Sequence, residues 1–521
     1  MTFNPMDWNG SHTVKVGAKY KSVELNAFEQ QPYNAQFFYD INQSLTVPYF
    51  VQFGSPVGGV DRNIRSRNQQ FGAYLQDDWE VNSHLLLNMG VRWDYERSPG
   101  YLDYVTPPGL AAALTNWSNL HAPGVDYNVA DYISDGSNRK AFKGAWQPRL
   151  GFSYDLNADQ RHVIFGGAGR SYDRNLWDYL ALEQSKATFP SYEYQFNTPG
   201  HPCAGSTCLA WNPSYLDQAS LDALVAANMN LGAEVNLVNN DLQTPYSDQF
   251  SIGMRNVFDM FGRDWNSSVT LLRVTSHDGV VITHGGRYAN GGFRNPNCGP
   301  GTWGCAPWGQ NIPGYGGFFK IGNGIETKLD SVLISLDKPY EKDSPWSLNF
   351  AYTYSNAREN MRNAYENDEH FNGDYASPGQ NGFSRSLGLP RHRLVVTGLI
   401  DGAWGMTYSA KLALASGKPK EALNCHDVPN FDNCFWDPFT PGYAIANKQL
   451  DLAVQKTVKI DEDMALRFRV DILNAFDWHN WTDYDNWAGD PVNANPTFGN
   501  RTGVGTEYPP RMIKATVGFT W

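Results

Sequence analysis

The connections between the apolar segments of this chain alternate between short and long, and this alternation restricts the fold more than any other feature. Short connections lie at 81–84, 156–161, 258–263, 340–345, 402–405 and 460–463. Between them lie long stretches at 97–145, 171–243, 277–323, 355–389, 417–448 and 475–508. Connections longer than about 12–15 residues are uncommon in compact soluble domains. Tight turns at one end of a sheet and long loops at the other are typical of an outer-membrane barrel.

The segments between these connections alternate with a period of two, and helical periodicity is nearly absent. The clearest segment places Leu85, Leu87, Met89, Val91, Trp93 and Tyr95 on one face, opposite Leu86, Asn88, Gly90, Arg92, Asp94 and Glu96. Similar segments occupy 149–154, 249–255, 347–355, 394–400, 449–454 and 467–473. A strand of a soluble sandwich shows the same alternation, so the alternating connections decide between the two.

The fold class predicted from both patterns is all-β: an antiparallel transmembrane β-barrel with short periplasmic turns and long extracellular loops. In hydrocarbon every backbone N–H and C=O needs an internal partner, so the sheet must close on itself. One face then meets lipid and the other a polar lumen. We count about 14 strands, or about 16 if Gln36–Asp40 and Thr46–Phe53 form a hairpin, against about 22 in plugged transporters. Residues 1–521 are therefore expected to form a single domain that is part of a larger barrel.

Composition excludes several classes of protein. A net charge of −12 argues against nucleic-acid binding, which requires a basic face. The chain has 14% aromatic and only 18% charged residues, which argues against intrinsic disorder. Mean hydropathy is −0.49, and no apolar run of about 18 residues predicts a transmembrane helix. Residues 1–5 lack the basic and apolar regions of a signal peptide. A large β protein remains, either soluble or in an outer membrane.

Six cysteines form three close pairs along the chain, and each pair lies in a long connection. The pairs are Cys203 with Cys208, Cys298 with Cys305, and Cys425 with Cys434. We expect three local disulfides, and hence an oxidising compartment, because each pair lies in a stretch rich in Gly, Pro or Asn. The alternatives are free thiols in a cytosolic protein or a metal site, for which Cys425-His426 gives the nearest match.

The chain ends at Trp521 within an alternating strand. Ile513, Ala515, Val517, Phe519 and Trp521 form the apolar face. Met512, Lys514, Thr516, Gly518 and Thr520 form the other face. Soluble domains seldom end in mid-strand on an exposed aromatic residue, because chain ends fray. The ending resembles the signal that the barrel-assembly machinery reads, and it predicts that Trp521 lies on the lipid face.

Several segments together resemble TonB-dependent outer-membrane receptors, and in particular their Oar-like branch. Phe71–Trp79 followed by Leu85–Trp93 is similar to the paired-strand signature of that family, and Ser11–Gly17 to the strand that precedes it. Arg469–Asp477 resembles the penultimate strand with its exit, and Ser416–Pro419 another strand exit. The resemblance covers nearly the whole chain and does not identify a substrate.

The resemblance implies a transport mechanism that this sequence contains only in part. In the family, extracellular loops capture a ligand and a plug domain, energised through TonB, opens a path through the lumen. A signal peptide, TonB box and plug are not visible here, so we expect the C-terminal barrel part of a receptor. The implied partners are outer-membrane lipid, the barrel-assembly machinery, a plug domain and the TonB system, and an unidentified ligand at the loops.

Candidate site residues are few, and no enzyme constellation is present. Arg149, Arg170, Arg255, Lys411 and Arg467 are predicted to face the lumen, where they contact a plug or an anionic substrate or are simply solvated. Acidic loop residues could hold Ca²⁺ through oxygen ligands, with solvated loops as the alternative; they are Asp368, Glu369, His370, Asp374, Asp483, Asp485 and Asp490. We expect no cofactor. Loop aromatics could stack on a sugar or pack on one another; they are Trp303, Trp308, Phe318 and Phe319.

Three hypotheses follow for the function. The first is the barrel of a TonB-dependent transporter that mediates uptake, or export, of an unidentified substrate across a Gram-negative outer membrane. The second is a plug-less passive pore or surface-binding barrel. The third is a secreted, soluble, glycan-binding β protein.

Overall fold

One large antiparallel sheet dominates a computed structural model of the chain. The described residues are 1–28, 35–55, 63–173, 177–186, 191–205, 207–227, 233–293, 295–296, 310–361, 371–372, 382–426, 435–441, 445–490, 492–503 and 509–521. Within them the main sheet has 18 strands. Fourteen of these are long, and each pairs with the next to form a meander.

The fourteen strands of the meander form the wall of the barrel. They are β1 (Ser11–Phe28), β2 (Asn63–Glu80), β3 (Leu85–Arg97), β4 (Ala145–Asp155), β5 (His162–Tyr172), β6 (Tyr246–Met260), β7 (Arg263–His284), β8 (Phe318–Lys338), β9 (Trp346–Glu359), β10 (His392–Asp401), β11 (Met406–Ala415), β12 (Asn447–Lys459), β13 (Ala465–Leu473) and β14 (Met512–Thr520). The predicted all-β antiparallel fold is confirmed.

The connections alternate between short and long, as predicted. The shortest turn consists of Phe261 and Gly262, between β6 and β7. Both residues have positive φ, 58° and 70°, which fits the two-residue type I′ turn that matches the twist of a hairpin. Consecutive connections of an antiparallel meander lie at opposite ends, so all the long loops extend from one end of the wall. We call the ends the turn end and the loop end.

The predicted hairpin near residue 40 forms, but it does not enlarge the barrel. Gln36–Phe38 pairs with Phe50–Gly54, and the hairpin continues with Ser191–Phe196 and Cys208–Leu209 into a separate four-stranded sheet. The count of about 16 wall strands was therefore wrong. The period-two alternation correctly predicted the two strands. They lie outside the wall because a long loop can fold into a sheet of its own that buries one face.

Other short strands lie at the loop end or at the edges of the wall. Met6–Asp7, Val235–Val238, Phe371–Asn372 and Ser384–Arg385 add to the main sheet. Lys420–Asn424, Phe435–Phe439 and Trp487–Gly489 form a three-stranded sheet, and Asp483–Tyr484 pairs with Arg501–Gly503.

The helices are short. They are α1 (Pro99–Leu102), α2 (Pro108–Asn116), α3 (Trp177–Ser185) and α4 (Gln218–Ala227), with 3-10 turns at Ser118–His121, Val129–Tyr132, Pro213–Leu216 and Ala403–Gly405. None of the helices in the described part of the chain is long and apolar enough to cross a membrane.

The fully buried apolar core lies among the long loops. One cluster joins Leu110, Leu114, Trp117, Leu120, Val129, Val235, Leu237, Ile312 and Phe318. A second joins Tyr101, Tyr179, Leu180, Val238, Val280, Ile282 and Ile321. Burying a large apolar side chain contributes about 1.5–3 kcal/mol, so these clusters fold the loops into a compact unit. We call this unit, made of residues 98–144, 177–185, 233–245, 285–293 and 310–317 with the loop-end extensions of β7 and β8, the loop layer.

The wall exposes its apolar side chains instead of burying them. Phe250 and Ile252 are 54% and 52% exposed, and Leu271, the register partner of Ile252, is 51% exposed. The opposite face carries small polar groups, as where Ser268 and Ser335 hydrogen-bond at 2.7 Å. A continuous exposed apolar band is expected where a barrel meets lipid. We call this side the outer face and the other the lumen face.

The N-terminal segment covers the turn-end part of the first edge of the wall, as far as Val16. Phe3 N donates to Val14 O at 2.9 Å, Val16 N donates to Met1 O at 3.0 Å, and Met6 is the register partner of His12. These bonds give β1 a hydrogen-bonded neighbour on the side away from β2. At the other end of the meander, β14 pairs with β13 along nine residues.

Candidate functional site

A cavity of about 960 Å³ lies between the lumen face and the loop layer. Its wall comes from β1 to β5, where the strand register brings lumen-facing side chains together. Its roof comes from the loop layer, through Tyr101, Leu102, Lys140, Phe142, Leu242 and Thr244. A concave, mostly preformed space with a few polar groups is the usual form of a ligand site, so this cavity is the candidate functional site.

Two ion pairs fix the wall of the cavity. Lys15 Nζ lies 2.6 Å from Asp78 Oδ2, and the other oxygen of Asp78 accepts from Asn88 at 2.7 Å. Arg92 binds both oxygens of Asp94 at 2.6 Å, and Gln147 also donates to Asp94. These carboxylates are already satisfied by protein donors, which removes most of the negative charge available to a ligand.

Cationic side chains remain in the cavity without such partners. Lys19, Lys140 and Arg149 line it, and in the described part of the chain none of them forms an ion pair or a side-chain hydrogen bond. The cavity therefore presents more free donors than free acceptors. It is suited to a polar ligand that carries acidic or oxygen-rich groups.

A buried ion pair anchors the roof. Arg139 donates to both oxygens of Glu183 at 2.7 Å, and both side chains are completely buried. Arg139 also donates to Tyr101 O and Val238 O, and Glu183 accepts from Val238 N at 2.7 Å. The pair thus ties three segments of the loop layer together. Burial raises the pKa of Tyr101 to about 12, so its hydroxyl stays protonated and donates to Asn239 O at 2.8 Å.

A second charged cluster lies deeper in the loop layer. Arg287 is almost fully buried and lies 2.6 Å from Asp126. Lys320 Nζ lies 3.7 Å from the centroid of the Tyr127 ring. Burial lowers the pKa of Lys320 to about 7, with repulsion from Arg287 in the same direction. Burial also lowers the pKa of His284 to about 4. The loop layer therefore buries ionisable groups whose charged forms are disfavoured there.

Four of the five predicted lumen charges lie on the lumen face. Arg149 lines the cavity. Arg255 is the register partner of Ser268, Lys411 of Asp451, and Arg467 of Gly518, all lumen-face positions. Only Arg149 reaches the cavity, so the structure does not bring the predicted charges into one site.

The prediction for Arg170 was wrong. Arg170 lies on the outer face, because its register partner Asp248 precedes Phe250 and Ile252 on that same face. Its guanidinium donates to both oxygens of Asp248 at 2.7 and 2.8 Å and lies 4.3 Å from the centroid of the Tyr246 ring. A charged residue is tolerated there because it sits at the loop end, paired and capped by an aromatic ring, where interfacial residues are expected.

Most residues that line the cavity were not predicted from the sequence. Lys15 lies in Ser11–Gly17, the segment that precedes the paired-strand signature, and Lys19 lies two residues after it; neither was predicted, although both alternate with apolar residues. Extending the lumen face from Arg92 across one strand would have found them. Tyr101 and Lys140 lie in irregular loops, where no periodicity indicates the direction of a side chain.

The structure describes some of the predicted loop cysteines, acidic residues and aromatic residues, and others lie outside the described ranges. Cys203 and Cys208 form a disulfide, and Cys425 is disulfide-bonded. Cys298, Cys305 and Cys434 lie outside the described residues, as do Asp368, Glu369, His370, Asp374, Trp303 and Trp308. Phe318 is buried in the loop layer, and the Phe319 ring lies tilted against that of His284 with centroids 5.0 Å apart, so both pack within the loops.

The remaining acidic loop residues bind their own loops. Asp485 accepts from Thr497 Oγ1 at 2.6 Å and Asn495 Nδ2 at 3.0 Å, and these bonds lower its pKa. Asp490 accepts from the backbone of Val492 and Asn493. No group of three or more His, Cys, Asp or Glu in the described ranges is arranged to hold a metal ion.

The terminal strand presents its two faces as the alternation requires. Val517, Ala515 and Ile513 are register partners of Phe468, Val470 and Ile472 on the outer face. Phe519 lies on the same face, and the ring of Trp521 stacks on it with centroids 5.8 Å apart. Thr516 and Gly518 are partners of Arg469 and Arg467 on the lumen face. The geometry leaves Trp521 exposed at the end of the strand.

Comparison with known proteins identifies the family. A model of the outer membrane beta barrel domain matches residues 6–412. The chain belongs to this family. It is therefore a barrel of the Gram-negative outer membrane, not an enzyme and not a secreted soluble protein, and the third hypothesis was wrong. No curated protein matches the chain.

One solved structure shows the same fold at low sequence identity, and a second is reported beside it for comparison. The outer membrane transporter YddB from Escherichia coli has a TM-score of 0.55 and 12% identity, over 100% of this chain and 52% of its own. The ferric enterobactin receptor PfeA from Pseudomonas aeruginosa has a TM-score of 0.48 and 14% identity, over 99% and 52%. The chain spans about half the length of these outer membrane barrel domain proteins. The resemblance to TonB-dependent receptors is confirmed at the level of the fold.

Proposed function

We propose that the chain is the barrel part of a TonB-dependent transporter that takes up a polar, acidic or oxygen-rich solute through its lumen. The observation that carries the proposal is the cavity beneath the loop layer, whose free cationic donors Lys19, Lys140 and Arg149 face the lumen. A passive pore does not need a folded roof over its channel. A receptor does, because it must hold its ligand before transport.

The loop layer and the wall have different roles in this proposal. The loop layer, fixed by Arg139–Glu183, closes the outer end of the cavity and selects the ligand. The wall provides a polar path, and the energy for opening it comes from a plug domain and the TonB system. Because the chain spans about half of the similar structures, we assign these coupling parts to the complete receptor.

The test compares solute depletion from the growth medium by strains that carry or lack the gene, each with and without TonB. We expect the same acidic solutes to remain undepleted in the medium in either single deletion, with no further effect in the double deletion. Uptake that depends on the gene but persists without TonB would replace the transporter with a passive pore.

A variant links this test to the cavity. Lys19→Gln with Arg149→Gln should reduce the gene-dependent uptake. Arg255→Gln with Lys411→Gln removes the same charge from the lumen face outside the cavity and should leave uptake nearly unchanged. Equal losses in both variants would mean that the lumen charge as a whole, and not this cavity, handles the solute.

A further inference from the structure

A tryptophan of the wall is hydrogen-bonded to the segment that carries one of the cationic side chains of the cavity. Trp93 Nε1 of β3 donates to Lys143 O at 2.9 Å. Residues 140–144, which we call the strap, are the last five residues of the loop layer before β4 begins. Lys140 of the strap lines the cavity. The bond therefore connects a side chain of the wall with part of the roof.

The strand register places Trp93 on the outer face. Phe250 of the outer face is the register partner of Ala168, and Ala168 is the partner of Leu150. Leu150 pairs in turn with Met89. Trp93 follows Met89 by four residues, an even number, so the two side chains share a face. A tryptophan near the loop end of this face lies where the aromatic girdle of a barrel meets the membrane interface.

Three aromatic rings pack around Trp93 and fix the direction of its indole. The centroid of the Trp93 ring is 6.0 Å from that of Phe71 and 6.1 Å from those of Tyr95 and Trp146. Aromatic rings attract one another when their centroids are about 4.5–7 Å apart. All three neighbours belong to the wall strands β2, β3 and β4. The wall, and not the loop layer, therefore orients the N–H group that holds the strap.

The strap makes few other contacts that would hold it in place. Within the described ranges, residues 140–143 form no hydrogen bond besides the one from Trp93. The ring of Phe142 adds a contact with the ring of Tyr172, with centroids 5.6 Å apart. Segments with few hydrogen bonds and few buried contacts open locally at a low free energy. Loss of the Trp93 bond should therefore release the strap more readily than the rest of the roof.

We propose that Trp93 is a positioning residue for the cavity: by holding the strap, its indole N–H keeps the ammonium group of Lys140 where an acidic ligand binds. Trp93 acts through the strap and does not contact the ligand. The proposal rests on the proposed uptake function only for the role of Lys140 as a ligand donor. It gives an interfacial aromatic residue a second task, because the ring that lies against lipid also orders the roof of the cavity.

The first experiment compares Trp93→Phe with Trp146→Phe in the purified chain, embedded in phosphatidylcholine nanodiscs. Both variants replace an indole of the same aromatic cluster by a smaller apolar ring, so the wall should fold in both. The Trp146 indole forms no hydrogen bond with any described residue, which makes it the matched control. Trypsin cleaves after Lys140 and Lys143, and its rate on a folded protein follows the population of the locally opened segment.

The expected change follows from the strength of one hydrogen bond. Such a bond is worth about threefold to tenfold in an equilibrium, so tryptic cleavage of the strap should accelerate by that factor in Trp93→Phe. Trp146→Phe should change the rate by less than about twofold. An unchanged rate in Trp93→Phe would overturn the positioning role, as would an equal acceleration in Trp146→Phe.

The second experiment asks whether the strap acts through Lys140 and uses citrate, a small tricarboxylate, as the probe. Trp93→Phe should weaken citrate binding, and Lys140→Gln should weaken it at least as much. The double variant should bind citrate no more weakly than Lys140→Gln alone, because a residue that acts through another adds nothing once the other is removed. Additive losses would refute the action through Lys140. Absence of citrate binding by the unmodified chain would count against the proposed ligand class, whereas the cleavage experiment would still decide the role of Trp93.

Discussion

Replacing Arg139 with methionine should loosen the loop layer without harming the wall. Arg139 and Glu183 have side chains that are 0% exposed. In the variant Glu183 keeps the hydrogen bond from Val238 N and loses both from the guanidinium. Removing one partner of a buried pair costs about 3–5 kcal/mol, because the remaining charge is buried without compensation.

This cost raises the population of the open loop layer steeply. Each 1.4 kcal/mol is about tenfold in an equilibrium, so local opening should increase by about a hundredfold or more. The assay is hydrogen exchange of the amides in Trp177–Ser185 and Val235–Val238, with the amides of β12 and β13 as an internal reference for the wall. Protease cleavage of the loops on intact cells provides a second readout.

Two variants make the result interpretable. Arg161→Met breaks the exposed pair of Arg161 with Asp264, whose side chains are 40% and 54% exposed, and should leave stability nearly unchanged because solvent screens the pair. Arg139→Met with Glu183→Leu removes both charges and should recover most of the loss. An Arg139→Met effect no larger than that of Arg161→Met would refute the claim that this pair holds the roof.

Four further predictions concern the loops and the terminal strand. The pKa of Lys320 falls from 10.5 to about 7 on folding, so the fold binds fewer protons between these values and stability should rise with pH from about 7 to 10.5. Lys320→Met should flatten this rise in a pH series of thermal melts, and an unchanged slope would contradict the burial of the amine. Cys203→Ser with Cys208→Ser should lower the stability of the four-stranded loop sheet by at most about 2 kcal/mol, measured by loop proteolysis, with the wall unchanged. Val517→Arg should cost about 2–4 kcal/mol in refolding into vesicles if it lies near the membrane midplane, whereas Thr516→Arg should cost little. Deleting Trp521 should mainly reduce the amount of protein in purified outer membranes, and unchanged amounts would remove the proposed assembly signal.

The sequence predicted the wall well because the wall obeys two simple rules. Side chains of a strand alternate strictly, and every strand must be bonded on both sides within lipid. The strand positions of β2, β3, β13 and β14 were therefore predictable from short segments, and the pairing of β2 with β3 was expected from the family resemblance. Arg170 shows where the alternation is insufficient: near the loop end a charged residue is acceptable on either face, so charge no longer indicates the lumen.

The loop layer was not predictable by the same reasoning. Its contacts join residues far apart in sequence, as Arg139 with Glu183 and Asp126 with Arg287, and no local pattern indicates such partners. The hairpin of Gln36–Phe38 with Phe50–Gly54 was visible as two strands, but its place outside the wall depended on Tyr192 and Tyr194, about 140 residues away. Long-range packing, and not strand propensity, decided these positions.

The wall and the loop layer are stabilised in different surroundings. This difference indicates which of them sets ligand specificity in the proposed function. The wall turns Phe250, Ile252 and Leu271 outward, so lipid takes the place of a protein core. The loops have no lipid to cover them and must bury Leu110, Leu114 and their neighbours against one another. A change in the wall is therefore limited by the membrane, whereas a change in the loop layer is limited only by its own packing. Because the loop layer builds the roof of the cavity, the proposed uptake function places ligand choice at residues such as Tyr101 and Lys140, which can change without altering the barrel.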